Sequence, residues 1–267
     1  SMIATAFGSF IAGYLALLIA GVFAVGEQSS TAYGAALVIA GVLIAVSVLP
    51  LFYLKGETVI MRQNMREEED DNTPEKVPWG ILIRLSFPFL FFGFSGGLTF
   101  PFYNLLFRTT YDVSDATVGT ILSIGWVGMG LITLSNPWWD KRFGRARGLG
   151  ITMSLATIAF LALSVAPVLW FGILTYVIAT SMRNTMSPLF QPLLMDSLPS
   201  ALHNLASSVG FVLWNIGYFT ASILGGIWQT EYGFGFIMQV VALTVFMTGV
   251  SVVLNYRNRQ PYVIKQG

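Results

Sequence analysis

The sequence predicts an all-α fold: a polytopic membrane protein with eight transmembrane helices. Three observations carry this. First, 55% of the 267 residues are hydrophobic and only 10% are charged, against about 25% in a soluble domain. A surface so poor in charge must face lipid over most of its area. Second, charge-free runs recur at the ~20-residue length that crosses a hydrocarbon core. Third, the basic residues fall almost entirely on one side of the topology that those runs define.

The spans follow in order. Charge-free windows cover 3–24, 32–54, 85–107, 116–139, 204–230 and 232–256. A further window, 148–195, is interrupted only by Arg183. It is too long for one helix, and "VAPVLW" (165–170) supplies a turn at Pro167. Two helices, roughly 149–166 and 169–195, bring the total to eight. These are continuous apolar runs rather than ten-residue alternations, which excludes a β-barrel. The opening run has no basic n-region and is as long as a span, so it does not read as a signal peptide.

With eight spans both termini lie on one side. The loops and edges of that side hold Lys55, Arg62, Arg66, Lys76, Arg84, Lys141, Arg142, Arg145, Arg147, Arg257, Arg259 and Lys265; the opposite loops hold only Arg108. The expectation is an integral protein of the plasma (inner) membrane with both termini cytoplasmic. A net charge of +1 gives no case for a nucleic-acid partner. One His and no Cys leave no zinc cluster, thiol nucleophile or disulfide framework. No intramembrane carboxylate pair or activated nucleophile marks an enzyme, and no cofactor is implied.

An internal repeat appears at an offset of 204. In "AGYLALLIAGVFAVGE" (12–27) and "IGYFTASILGGIWQTE" (216–231), Gly13, Tyr14, Ile19, Gly21 and Glu27 match Gly217, Tyr218, Ile223, Gly225 and Glu231. In both places a small-residue-rich span is followed by a short outer loop and a last span. Spans 1 and 2 therefore read as a second copy of spans 7 and 8, and spans 3–6 have no counterpart.

The charge burst "SNPWWDKRFGRARG" (135–148) resembles the signature of the major facilitator superfamily, Gly-x-x-x-Asp-Arg/Lys-x-Gly-Arg-Arg/Lys. That signature lies in the cytoplasmic loop between the second and third helices of each six-helix half. Asp140, Lys141, Gly144 and Arg145 fall on the pattern, and Arg142 and Arg147 add charge. Asn136 stands where the signature's first Gly would be. The resemblance implies the second six-helix half plus the last two helices of the first, helices 5–12 of a twelve-helix transporter. Residues 1–54 would close the first half, 55–78 would be the cytoplasmic linker, 79–256 the second half, and 257–267 a cytoplasmic tail. The charged run "MREEEDDNTPEK" (65–76) reads as solvated linker. The resemblance further implies four missing N-terminal helices, supplied in cis or by another chain. The helix at 3–24 lacks the Gly-Pro of the family's antiporter motif, which counts against a drug/proton antiporter.

The expected function is secondary transport of a small solute by alternating access, uptake or efflux, with the chain incomplete and unable to transport alone. The competing reading is a non-transporting eight-helix binding or regulatory protein. The loop residues Asp140, Lys141, Arg142, Gly144, Arg145 and Arg147 are the candidate conformational gate, with Asp140 placed to pair with an Arg or to cap a neighbouring helix.

Arg183 falls near mid-membrane, where a charge costs roughly 2.5–3.5 kcal/mol on the mild insertion scale. It either binds an anionic group on the substrate or pairs with a carboxylate in the missing helices. Alternatively it is a structural arginine satisfied by carbonyls or reaching toward the cytosol. Asn184 and Gln191 lie near it in sequence, and Pro188 and Pro192 free carbonyls at 184 and 188. Tyr103, Asn104 and Phe94 on span 3 complete the candidate substrate contacts, with Trp126, Trp214, Asn215 and Tyr218 as weaker candidates. In span 3, Pro88, Gly96-Gly97 and Pro101 mark a helix that can break. Gly210, Gly217, Gly225 and Gly226 are the expected close-packing positions.

Overall fold

The computed structural model describes residues 2–23, 30–49 and 77–256. Residues 55–76 of the linker, the tail and the end of the second span lie outside the described residues. Among those described, every regular element is helical. The first two helices are α1 (Met2–Phe23) and α2 (Ser30–Ser47).

Span 3 is broken twice, into α3 (Trp79–Ser86), α4 (Pro88–Gly97) and α5 (Tyr103–Tyr111). Proline at the first position of α4 cannot donate to the preceding turn, and α3 and α4 meet at a 41° bend. The element also starts earlier and ends later than its charge-free window. Arg84 is accommodated on α3 because its Nε donates to Asn255 Oδ1 at 3.2 Å. Asp112 (φ 51°) then stops α5 in the left-handed region.

Span 4 comprises α6 (Asp115–Leu134), capped by the Ser114 hydroxyl on the Thr117 N–H at 3.3 Å, and a short α7 (Asn136–Phe143). Span 5 is α8 (Arg145–Ser164). Span 6 divides at Thr185 into α9 (Leu169–Asn184) and α10 (Met186–Asp196). A 3₁₀ turn (Ser200–Leu202) leads into α11 (His203–Glu231), and α12 (Gly233–Tyr256) completes the order.

Among the described residues, four helices are long and apolar enough to cross a membrane individually; the bent α3–α4 pair makes a fifth. The α9–α10 span is interrupted at Thr185, and among the described residues α1 and α2 contribute the apolar stretches 4–15 and 34–47.

The core is built from Leu82, Leu85, Phe107, Phe160, Tyr176 and Phe190, all fully or almost fully buried. Large apolar side chains such as Leu134, Ile158, Trp170, Phe211 and Leu254 cover the outside, the distribution expected where the surrounding medium is hydrocarbon. Small residues set the helix approaches. A methyl at Gly13 would meet Gly119 Cα at 2.7 Å, so α1 and α6 touch backbone to backbone there. The Ser123 hydroxyl ties the pair again by donating to the Ala6 carbonyl at 2.9 Å. A methyl at Gly97 or Gly217 would collide with the Tyr218 or Leu90 carbonyl, which presses α4 against α11. Gly210 and Gly225 likewise face the rings of Phe89 and Phe102. Gly226 departs from expectation: nothing lies within 4 Å of a methyl there, because it points away from the α4 contact.

Polar contacts define two ends. At one, the Tyr111 hydroxyl donates to the Ala166 carbonyl at 3.1 Å, and Arg108 pairs with Asp115 at 3.5 Å. At the other, the Tyr256 hydroxyl donates to the Leu85 carbonyl at 2.8 Å, and Arg145 reaches Asp196. The 108–115 and 165–168 loops thus share one end, and the 140–147 turn, the end of α10 and the end of α12 share the other.

Candidate functional site

Arg183 occupies the last turn of α9, just before the break at Thr185. Its residue is 4% exposed. The Nε–H donates to Ser95 Oγ at 2.8 Å, and a terminal N–H donates to the Phe92 carbonyl at 2.6 Å. The guanidinium carbon lies 4.2 Å from the Phe92 ring centroid and 5.4 Å from that of Phe100. Ser95 stays satisfied by donating its own proton to the Phe92 carbonyl at 2.8 Å. The charge is therefore held by a hydroxyl, a carbonyl and two aromatic faces, all on span 3. The sequence offered carbonyls freed by Pro188 and Pro192 as partners; the carbonyl acceptor found, that of Phe92, is on another helix.

Gly96 explains why the guanidinium fits. A methyl there would stand 3.0 Å from the Arg183 terminal nitrogen. The Gly96-Gly97 pair does two packing jobs: the first makes room for the arginine and the second for α11. Thr99 continues the polar seam by donating to the Ser95 carbonyl at 2.8 Å.

The other candidate contacts scatter around this point. Tyr103 is buried and meets Tyr176 edge to face at 4.8 Å. Phe94 is half-buried against the core, and Asn104 is exposed. Asn184 is half-buried beside Arg183. Gln191 is exposed, and its amide donates to Ser207 Oγ at 3.2 Å, joining α10 to α11. Trp126 stacks on Phe100 at 6.1 Å, and Trp214 stacks on Tyr218 at 5.0 Å. The Asn215 amide is spent locally, on the Phe211 carbonyl at 2.8 Å. Arg183 and its Phe92–Ser95 acceptors form one cluster; Asn104 and Gln191 are not part of it.

The second cluster is the charged turn. Gly144 takes φ +75° between α7 and α8, a conformation that L side chains rarely adopt. That reversal brings Arg145 back over Asp140, with Nε donating to Oδ2 at 3.1 Å. The same guanidinium donates from a terminal nitrogen to the Asp196 carboxylate at the end of α10. One arginine therefore joins the α7–α8 turn to α10. Asp196 had no role in the sequence reading. Its available signal was its place as the first acid after span 6.

Lys141, Arg142 and Arg147 are exposed, and none enters an ion pair among the described residues. Asn136 is 5% exposed, and both polar atoms of its amide lack hydrogen-bond partners among the described residues.

Comparison with curated proteins gives no match. Residues 85–266 match the family model of the Major Facilitator Superfamily. That match covers more than half of the chain and includes both the Arg183 cluster and the charged turn. With its helical architecture, this shows that the chain belongs to the major facilitator superfamily of membrane transporters.

Proposed function

We propose that this chain is part of a secondary transporter that moves a small solute by alternating access. The observation that carries the reading is the Arg145 bridge, which ties the α7–α8 turn to the end of α10 through two carboxylates. A partly exposed bridge of this kind is weak enough to break and strong enough to bias a closed state. Its place between the second and third spans of a six-span unit fits a gate at one mouth of a central pathway. The full reading has eight spans: the second six-helix half and the last two helices of the first. The 204-residue repeat and the basic asymmetry support it, with the bridge on the cytoplasmic face of the plasma (inner) membrane.

Arg183 clasps α9 to the broken span 3 in the closed state. An arginine has five N–H donors, and the contacts to Ser95 and Phe92 use two of them. In this reading the remaining donors meet an anionic group on the solute when the clasp opens. Tyr103, Phe94 and Asn184 would form the nearby wall.

Proteoliposome flux over a panel of small anionic and neutral solutes tests this. The chain alone should give no flux. Co-reconstitution with the segment that supplies the remaining four helices should give saturable flux, abolished by Arg145→Ala. Flux from the chain alone would overturn the incompleteness. A solute that raises the melting temperature but is never moved by the assembled protein would favour a binding or regulatory role.

A further inference from the structure

A cleft of about 580 Å³ lies between α8 and α12, away from the Arg183 cluster and opening beside the charged turn. On α8 it is lined at 147, 150, 151, 154 and 155, and on α12 at 246, 249, 250, 253 and 254. Both series follow helical spacing, so one face of each helix forms one wall. The floor is low because the closest positions carry little side chain. A methyl at Gly249 would meet Met153 Cβ at 2.8 Å, and one at Gly150 would meet Val253 Cγ2 at 2.7 Å. The rims are Leu155, Phe246 and Leu254, all exposed. From Arg147 to Leu155 the groove runs about 12 Å along the helix, at a rise of 1.5 Å per residue.

The lining is apolar throughout its depth, with two polar exceptions. Ser154 donates its hydroxyl to the Gly150 carbonyl at 2.8 Å, so it offers no free donor to the groove. Arg147 stands at the mouth, in the first turn of α8, at the end of the molecule that carries the charged turn. It is exposed and has no ion pair among the described residues. Among the described residues, the carboxylates at that end, Asp140 and Asp196, are both taken by Arg145. Arg142 and Lys141, also exposed, give the same end a positive field.

We propose that this cleft is a binding site for one acidic phospholipid. An acyl chain lies along the Gly150–Gly249 floor between the Leu155, Phe246 and Leu254 rims. The anionic headgroup is held by Arg147. An acyl chain fits the apolar depth, since packing against a glycine floor recovers dispersion contacts that a void would forfeit. A charge-assisted pair between guanidinium and phosphate supplies the selectivity. A zwitterionic lipid would fill the same groove without it. The occupant would brace α8 against α12 one turn from Arg145, which links lipid composition to the stability of the bridge.

The test is native mass spectrometry of the purified chain in detergent, titrated with dioleoyl phosphatidylglycerol or dioleoyl phosphatidylcholine. The wild type should retain one phosphatidylglycerol with about tenfold preference over phosphatidylcholine, the effect of a single charge-assisted contact. Arg147→Ala should erase the preference while leaving phosphatidylcholine retention unchanged; Arg147→Gln does the same if the alanine variant melts early. Ser154→Leu, which fills the floor, should lower retention of both lipids. Millimolar inorganic phosphate should not displace the bound lipid. The proposal is overturned if Arg147→Ala keeps the preference or if Ser154→Leu retains both lipids normally. Displacement by phosphate alone, or a second copy of the chain in place of lipid, would overturn it equally.

Discussion

Arg183→Ala tests whether the buried arginine is a structural clasp. The substitution removes two hydrogen bonds from a charged donor to Ser95 and the Phe92 carbonyl, worth about 1.5–3 kcal/mol each. It also removes the guanidinium from the Phe92 ring at 4.2 Å, a desolvated cation–π contact worth ~2 kcal/mol. Against these stands the relief of a buried charge, about 2.5–3.5 kcal/mol. Ser95 is not orphaned, because its hydroxyl still donates to Phe92. The balance is a destabilisation of about 2–5 kcal/mol. Arg183→Met restores volume and sheds the charge, so it should recover part of that loss. The assay is reversible unfolding in mixed micelles, followed by helical circular dichroism against denaturant. An alanine variant as stable as wild type, or more stable, would refute the clasp.

Two further predictions concern packing. Gly217→Ala drives a methyl into the Leu90 carbonyl and should cost about 1–3 kcal/mol as overpacking. Gly226→Ala meets nothing within 4 Å and should be neutral or stabilising by up to about 1 kcal/mol through helix propensity; the same unfolding assay compares the two. Asn136→Ala removes a buried amide with no partner among the described residues and should raise stability by about 1–3 kcal/mol, read as a higher unfolding midpoint.

How much of this was legible in the sequence depends on the kind of interaction. Apolar runs located the long helices, because an apolar surface is a property of composition alone. Their edges were less legible. Window 85–107 began after Arg84, yet α3 starts at Trp79, because Asn255 from α12 satisfies that arginine. The breaks in span 3 could be read from Pro88, since a missing N–H is a local property. The contacts of Arg183 could not: a backbone carbonyl on another helix leaves no mark in the sequence, and Ser95 lies 88 residues away. The Asp140–Arg145 pair was readable as a five-residue turn signature. Its extension to Asp196 was not, since that acid lies 51 residues downstream and meets Arg145 only through the packing of α8 on α10. Gly217 and Gly226 look alike in the sequence, and only the direction of α4 separates them.

The central claim is that Arg145 holds the α7–α8 turn to α10 and that releasing this hold opens one mouth. The chain contains no cysteine, so a labelled pair at the exposed positions Lys141 and Ser200 can report the distance directly. Spin labels on Lys141→Cys and Ser200→Cys in proteoliposomes should give one narrow distance distribution. Adding Asp196→Asn should introduce a second, longer distance, because only the Asp140 contact then remains. Identical narrow distributions with and without Asp196→Asn would contradict the account.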